Sequence, residues 1–537
     1  MKKKITTKII VLAIVLSFLW VHIPCIFPTD VKAQETTWAK IYGSPEVDSA
    51  TSIIHTSDGN YLIVGSSGVI VAGEWLGLAV IKVNKFGNLI WCKRYGSENS
   101  PNKDGRHLGY LDDWKTDIVE TKNHEYVIVY YHSIVRISED GNLIWAKQYG
   151  RYFGDFEGFR FSSIEELNNT DLIVSGNTIS GGEDNNLNAV VARLDSSGNI
   201  KWIKGYPGTG YRFSTIKPIG NSDFILGCFS NIEARGADKD AAMIIRLDSQ
   251  GEIVWAKSYC DRTGPFYGIL SYPAYFDLCL TDDNGVVVLR KSDIMFGGSS
   301  IIKIDFSGNV VWSKSFHSAV HGGETDLMAL TQLSNGNIAI VGKTTEFTDT
   351  YFTSAFQTNT IAIMLDKNGS FLWIKILGRF TKDTEDLNAH DVAFGVTEGD
   401  DGGIVYAGKT YAEVDNDYLD FFVVKMDASG GVSKVGDFLI DVDPDYNNVN
   451  DPLSAIIKSP TILVKNVDKV SREINDCNAY EVSYDFIECG FSEKTLEGTS
   501  SEKLILEPLY PDNATEPSKV MQGGVVYRYF TLKRQSG

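Results

Sequence analysis

Apolar and polar residues alternate along most of this chain in short runs, the period of a strand with one buried face. Between the runs stand Asp-Gly and Asn-Gly turns, which predict hairpins. One recurring hairpin is Ala242–Leu247, then Asp248-Ser249-Gln250-Gly251-Glu252, then Ile253–Tyr259. Asp caps such a turn with its own side chain, and Gly takes the positive φ. A second hairpin lies upstream in each unit, as in Ala50–Thr56, Ser57-Asp58-Gly59-Asn60 and Tyr61–Gly65. Each unit of roughly 55 residues therefore holds four strands, the content of one propeller blade.

The units are marked by seven tryptophans, Trp38, Trp91, Trp145, Trp202, Trp255, Trp312 and Trp373, each followed two residues later by Lys. Their spacings are 53, 54, 57, 53, 57 and 61 residues, the signature of a repeat architecture. The first unit starts at Thr37-Trp38-Ala39-Lys40 without an Asp turn, and the last ends at Asp427-Ala428-Ser429-Gly430 without a Trp. These halves complement each other. The N-terminal strand is expected to complete the blade begun near residue 391, closing seven blades over residues 35–435 and leaving no open edge in the ring. An open solenoid would not need matched halves. The seven Trp are expected to pack between blades, each N–H finding a backbone acceptor. The paired Lys is expected to discourage edge pairing on an outer strand.

The pattern Asp-x-x-Gly-Asn-x-x-Trp-x-Lys-x-Tyr-Gly resembles the β-propeller repeats of secreted and cell-surface prokaryotic proteins. More distantly, it resembles the quinoprotein-like repeat with its Gly-x-x-x-Trp ending. The resemblance covers about 400 residues and implies an all-β, seven-bladed propeller. It implies little about activity, because propellers host many unrelated functions.

Length alone, 537 residues, would predict three or four domains. The repeat reduces this to one ring, an acidic linker at 436–455, and a segment at 456–537. The short apolar runs of that segment suggest a small β-sandwich, with a partly ordered tail as the alternative. Residues 1–33 read as a signal peptide: a basic stretch to Lys8, an apolar stretch Ile9–Trp20, and a small-residue cleavage site at Val31-Lys32-Ala33. An uncleaved anchor is the alternative, and Cys25 lacks the small residue that a lipoprotein signal places before its Cys. No later segment is apolar enough to span a membrane. The expected location is extracellular, at the cell surface, or periplasmic where the source has that compartment.

The net charge is −19, and removing residues 1–33 leaves 45 basic against 68 acidic residues, a net −23. Such a charge repels phosphate backbones, which argues against nucleic acid as a partner. Six Cys remain after the signal, too few for a disulfide-dense scaffold, with no CxxC. Cys260–Cys279 and Cys477–Cys489 are near enough in sequence to pair.

Both hairpin turns of a blade must lie on one face of the disc, so the other two connections lie on the opposite face. Those are long and variable: Ser97–Leu111, Arg151–Arg160, Asp261–Ala274, Lys343–Asn359 and Arg379–His390 among them. They carry aromatics beside carboxylates. Tyr152, Phe153, Phe266, Tyr267, Tyr272 and Tyr351 are the candidate binding residues, suited to a glycan, a peptide or a partner protein by apolar stacking and directed hydrogen bonds. Packing of the loops onto the disc is the alternative role.

Acidic triplets at Glu183-Asp184-Asn185, Asp238-Lys239-Asp240 and Asp415-Asn416-Asp417 could gather around Ca²⁺ or simply make turns. Asp441-Val442-Asp443-Pro444-Asp445 opens like an EF-hand but has Tyr446 where Gly is needed. His317 and His321 lack an HExxH context, so no metal residue is assigned. No cofactor is evident. A quinone fits the repeat in outline, but quinoprotein dehydrogenases typically have eight blades and often adjacent cysteines, which are missing here. The alternative to a binding protein is a secreted glycosidase, lyase or quinoprotein with carboxylates in the propeller channel.

Overall fold

The computed structural model describes residues 36–433 apart from 44–46, 69–76, 97–114, 152–156, 179–188, 207–208, 221, 231–241, 262–274, 292–298, 319–324, 348–355, 379–390 and 412–418, together with nine short strands between residues 439 and 533. The described residues are all-β, and no helix among them is long and apolar enough to cross a membrane.

The chain opens with β1 (Trp38–Gly43) and then lays down blades in order. Blade 1 is β2 (Val47–His55), β3 (Tyr61–Gly68), β4 (Gly77–Val83) and β5 (Leu89–Gly96). Blade 2 is β6 (Asp117–Glu120), β7 (Tyr126–Tyr130), β8 (Ser133–Ile137) and β9 (Leu143–Arg151). Blade 3 is β10 (Glu157–Glu166), β11 (Leu172–Thr178), β12 (Ala189–Leu194) and β13 (Ile200–Tyr206). Blade 4 is β14 (Thr209–Ile219), β15 (Asp223–Ser230), β16 (Ala242–Leu247) and β17 (Ile253–Asp261). Blade 5 is β18 (Tyr275–Thr281), β19 (Gly285–Lys291), β20 (Ser299–Asp305) and β21 (Val310–Ser318). Blade 6 is β22 (Thr325–Gln332), β23 (Ile338–Phe347), β24 (Phe356–Leu365) and β25 (Phe371–Leu377). Blade 7 is β26 (Val392–Glu398), β27 (Ile404–Tyr411) and β28 (Leu419–Met426), completed by β1, which pairs with β28 from Trp38↔Lys425 to Tyr42↔Phe421. The ring is closed by its N-terminal strand, as the matched half-motifs require. Seven apolar clusters fill the spaces between neighbouring blades, so the core is a circle of blade–blade contacts.

The repeat motif is a latch between blades. Its Trp, Lys and Tyr lie on one face of the outer strand and reach the Asp turn of the next blade. Trp255 donates to Phe306 O at 3.2 Å, Lys257 to Ser307 O at 2.8 Å and Tyr259 to Gly308 O at 2.9 Å. The same Tyr-to-Gly carbonyl bond recurs from Tyr42 to Gly87, Tyr95 to Gly141, Tyr149 to Gly198 and Tyr206 to Gly251. The receiving turn is held by its own Asp: Asp305 Oδ1 accepts from the N–H of Ser307 and of Asn309. Gly308 has φ 76°, and a Cβ there would meet the Trp255 ring at 3.1 Å, so both conformation and space demand glycine. Trp38, Trp312 and Trp373 donate in the same way, whereas the buried Nε1 of Trp202 finds no acceptor.

The Lys of the motif therefore differs from its expected role. Lys40, Lys93, Lys147 and Lys204 are buried, with Nζ bonded to the next blade's turn and poised within 6 Å of their own Trp rings. Their burial is stabilised by charge–dipole and cation–π contacts, and they do not guard an edge.

The edge itself is covered. Beyond residue 433 come β29 (Leu439–Asp441), β30 (Ala455–Lys458), β31 (Ile462–Asn466), β32 (Arg472–Glu473), β33 (Asn478–Glu481), β34 (Asp485–Glu488) and β35 (Ser492–Thr495). They pair antiparallel with the outer strands of blades 6, 5, 4, 3, 2, 1 and 7 in that order. The segment thus runs backwards once around the disc and gives every blade a fifth strand. The described strands between 455 and 495 extend the blades, within the stretch where the sequence suggests a small sandwich over 456–537, and β29 falls within the stretch expected as a linker at 436–455. Isolated strands of two to five residues cannot build a core of their own, whereas an open blade edge satisfies their backbone groups at once. Two further strands, β36 (Ile505–Leu509) and β37 (Tyr529–Lys533), pair with each other.

Within blades, the third strand carries a base aimed at an acid of the first turn: Lys82–Asp58 at 2.7 Å, Arg136–Glu125, Arg193–Asp171, Arg246–Asp223, Lys303–Asp283 and Lys425–Asp400. In blade 6 these places hold Met364 and Asn337. Burial works to raise the Asp58, Asp171, Asp283 and Asp400 carboxyls, but hydrogen bonds from these bases, and at Asp171 first from Lys201 and Asn169, overcome it and hold all four below the usual range. Carboxylates depressed in the folded state contribute stability above the unfolded value and lose it as pH falls through the folded one. The melting temperature is therefore expected to fall steeply below pH ~4, with net proton uptake on unfolding. Scanning calorimetry across a pH series checks both; a flat profile down to pH ~2 would remove these pairs as a source of stability.

Candidate functional site

Strand direction alternates within each blade, so the two hairpin turns share one face. On that face the described turns are short, and four are stitched to the neighbouring blade. Glu120 accepts from the Ser57 N–H at 2.7 Å, Glu166 from Lys122, Gln332 from Asp282 and Glu398 from Ser334, each at 2.8 Å. The opposite face receives the long connections. Blade 2 departs from this: only Tyr131-His132 link β7 to β8, with Tyr131 at φ 56° and His132 Nδ1 2.7 Å from Phe159 O.

Tyr152, Phe153, Phe266, Tyr267, Tyr272 and Tyr351 all lie outside the described residues. The strand ends that flank them, those of β9 and β10, β17 and β18, and β23 and β24, open onto this one face. The Arg151–Arg160 connection is shorter than its sequence implied, because β9 runs to Arg151 and β10 begins at Glu157. The three acidic triplets and residues 442–454 also fall outside the described residues, as do Cys477 and Cys489. Among the described residues, no group of three or more His, Cys, Asp and Glu is arranged to hold a metal. Cys279 is a free, buried thiol, so it is not paired with Cys260.

The described part of the site is the axis. The inner strands β2, β6, β10, β14, β18, β22 and β26 abut in a ring around it. Polar residues on them bond to the next inner strand: Asp117 accepts from Ile164 N–H, Ser163 from Ile216 N–H and Asp277 from Leu330 N–H. Lys115, just before β6 in blade 2, crosses to blades 4 and 5. Its Nζ lies 2.6 Å from Asp277 Oδ1, 3.1 Å from Thr215 Oγ1 and 3.3 Å from Phe276 O. Blades 2 and 5 are not neighbours, so this side chain bridges the channel. Both partners are nearly buried, at 14% and 13% exposure.

Toward the short-turn face, Glu165 of blade 3 pairs with Lys217 of blade 4, each about a quarter exposed. Burial pushes the Glu165 carboxyl up, opposed by Lys217 and assisted by Asp117. Lys217 is held in its charged form against burial by Glu165, Asp117 and Asp277. Beside them, burial and the Asp277 charge push the Cys279 thiol up to about 12, which leaves it a poor nucleophile. These axial residues went unnoticed in the sequence, because nothing local marks an inner-strand position as facing the axis. The repeat alignment would have collected Asp117 and Asp277, which stand at the same place in β6 and β18.

Lys115→Ala leaves Asp277 without its cation in a nearly dry site. It is expected to cost about 3 kcal/mol of stability. Urea unfolding of the variant measures this, and a loss under ~0.5 kcal/mol would mean the bridge is not formed in solution.

No protein-family model matches the chain. No curated protein matches it either. Solved structures do show likeness. The soluble aldose sugar dehydrogenase of Escherichia coli in its apo-form is 13% identical, with a TM-score of 0.32, over 58% of this chain and 96% of that one. A protein of unknown function from Dyadobacter fermentans is 10% identical, with a TM-score of 0.37, over 73% of this chain and 98% of its own. A mutant of NanB sialidase from Streptococcus pneumoniae is 11% identical, with a TM-score of 0.35, over 74% and 69%. At these values the seven-bladed architecture rests on the strand pairing above.

Proposed function

We propose that this propeller is an exported binding protein that takes a glycan, a peptide or a partner protein on its long-connection face. The observation that carries this reading is the asymmetry of the disc. One face is built of short turns whose polar groups are already committed to neighbouring blades. The other receives the variable connections, rich in aromatics and carboxylates, and long loops on a rigid scaffold are where recognition usually resides. The Lys115–Asp277 bridge adds support, since a blocked axis favours a shallow surface over a through-channel.

The test is a glycan and peptide array probed with and without Ca²⁺, using the parent and the variants Tyr152→Ala, Phe266→Ala, Tyr267→Ala and Tyr351→Ala. Binding lost in the aromatic variants, with melting unchanged, supports the reading. Binding indifferent to all four would move the site off this face.

A secreted enzyme is the second reading. It is favoured by Glu165, whose carboxyl is pushed up by burial and stands near a second inner-strand carboxyl, Asp117. Hydrolytic activity abolished by Glu165→Gln would support it. Against it, Asp117 is committed to the N–H groups of Ile118 and Ile164, and Glu165 to Lys217.

A further inference from the structure

The belt of fifth strands stops at the same height on every blade. On blades 1, 2, 3, 4, 6 and 7 its last paired residue is the motif Lys, namely Lys93, Lys147, Lys204, Lys257, Lys375 and Lys40. On blade 5 it is Ser315, next to Lys314. The first half of each outer strand, such as Ile253–Ala256, has no outer partner among the described strands. On five blades that open half-edge carries an exposed aliphatic immediately before the Trp. Ile90 and Ile144 are 49% and 46% exposed, and Val254, Val311 and Leu372 are 54%, 59% and 50%. These five are the large apolar side chains most out of place on the described surface. Blade 3 has Lys201 there, paired with Asp171, and blade 7 has buried Thr37, bonded to Ser433. Blades 4, 5 and 6 therefore form an uninterrupted arc of open, apolar half-edges beside the short-turn face.

The same chain carries a hairpin that joins no blade among the described strands. β36 and β37 pair only with each other among the described strands. A lone two-stranded hairpin is marginal in water. Pro508 deprives β36 of a donor, whereas β37, Tyr529-Phe530-Thr531-Leu532-Lys533, keeps every N–H. Residues 517–537 also hold four basic residues and no acidic one, in a chain of net −19. Asp248, Asp305 and Asp366 open the turns six residues before Val254, Val311 and Leu372, so the arc offers the complementary charge.

We infer that the arc of blades 4 to 6 is a strand-docking surface for the β37 hairpin of a second copy of this chain. Among the described strands the hairpin pairs with no blade of its own chain, which leaves it available to fill open edges in trans. The contact continues the interface that the belt already makes on the same strands. Donor and acceptor surfaces are different, so the association is head-to-tail and extends to rings or filaments. This lies on the opposite side of the molecule's chemistry from the proposed ligand face and is independent of it.

Sedimentation velocity of the purified chain over a concentration series tests it, beside two variants. The acceptor variant is Val254→Lys/Val311→Lys/Leu372→Lys, whose positions are exposed and should fold unchanged. The donor variant is Phe530→Asp/Leu532→Asp. The parent is expected to form concentration-dependent oligomers and each variant alone to sediment as a monomer. Mixed together, the two variants are expected to stop at a heterodimer, since one retains the hairpin and the other the arc. A parent that stays monomeric at every concentration, oligomers that survive in either variant, or a mixture that yields no heterodimer would each overturn the inference.

Discussion

Removal of residues 36–43 is expected to abolish cooperative folding of the ring at ordinary temperatures. β1 buries Trp38, Ile41 and Tyr42 almost completely between blades 6, 7 and 1. At ~1.5–3 kcal/mol for each buried large side chain, its apolar contribution alone is about 5–8 kcal/mol. That is of the order of the whole stability of a typical domain, ~5–15 kcal/mol. The deletion also removes the latch from Trp38, Lys40 and Tyr42 to the turn at 84–88. It further leaves both β28 and β35 without their shared partner. Calorimetry of the truncated chain checks this, and an unchanged melting transition would show that the ring is closed by something else.

Truncation after residue 436 is expected to have the second largest effect, of a different kind. The inter-blade latches and all seven apolar clusters involve residues up to Val432, so the ring should retain its strand content. What it loses is the fifth strand on every blade, which exposes seven edges of unpaired backbone groups. Such edges pair with other chains. The truncated protein is expected to melt at a lower temperature and to form irregular aggregates with increasing concentration, at concentrations where the full chain is expected to form only its head-to-tail oligomers. Circular dichroism melting and light scattering follow the two effects. If truncation changed neither, the segment would be an appendage of no consequence to the ring.

The ring was legible in the sequence because its information is local and repeated. An Asp and a Gly three residues apart make a turn whatever surrounds them, and seven Trp at near-regular spacing fix the blade count. Closure followed from two half-motifs. The role of the motif Lys was not legible. Whether a Lys on an outer strand faces water or the next blade's turn depends on the angle between blades, which no residue encodes alone. The belt was hidden for a related reason. Strands such as Arg472–Glu473 are recruited by the edge they complete, and their own side chains carry little periodicity. The axial group was equally diffuse: Lys115, Asp117, Glu165, Lys217 and Asp277 come from four blades and are gathered only by ring closure. The candidate aromatics rest on sequence alone, because the connections that hold them lie outside the described residues.

The claim on which the rest depends is that residues 439–495 encircle a closed ring, blade by blade and in reverse order. The register places Leu463 directly opposite the native Cys260 on blade 4. Directly opposed residues of an antiparallel pair have Cα atoms ~4.5–5.5 Å apart, within disulfide range. Leu463→Cys is therefore expected to form a disulfide with Cys260 under mild oxidation, and mass spectrometry should find the peptides containing residues 260 and 463 joined. Leu463→Cys that remains a free thiol, together with a segment 439–537 that unfolds cooperatively on its own, would contradict the belt and restore a separate C-terminal module.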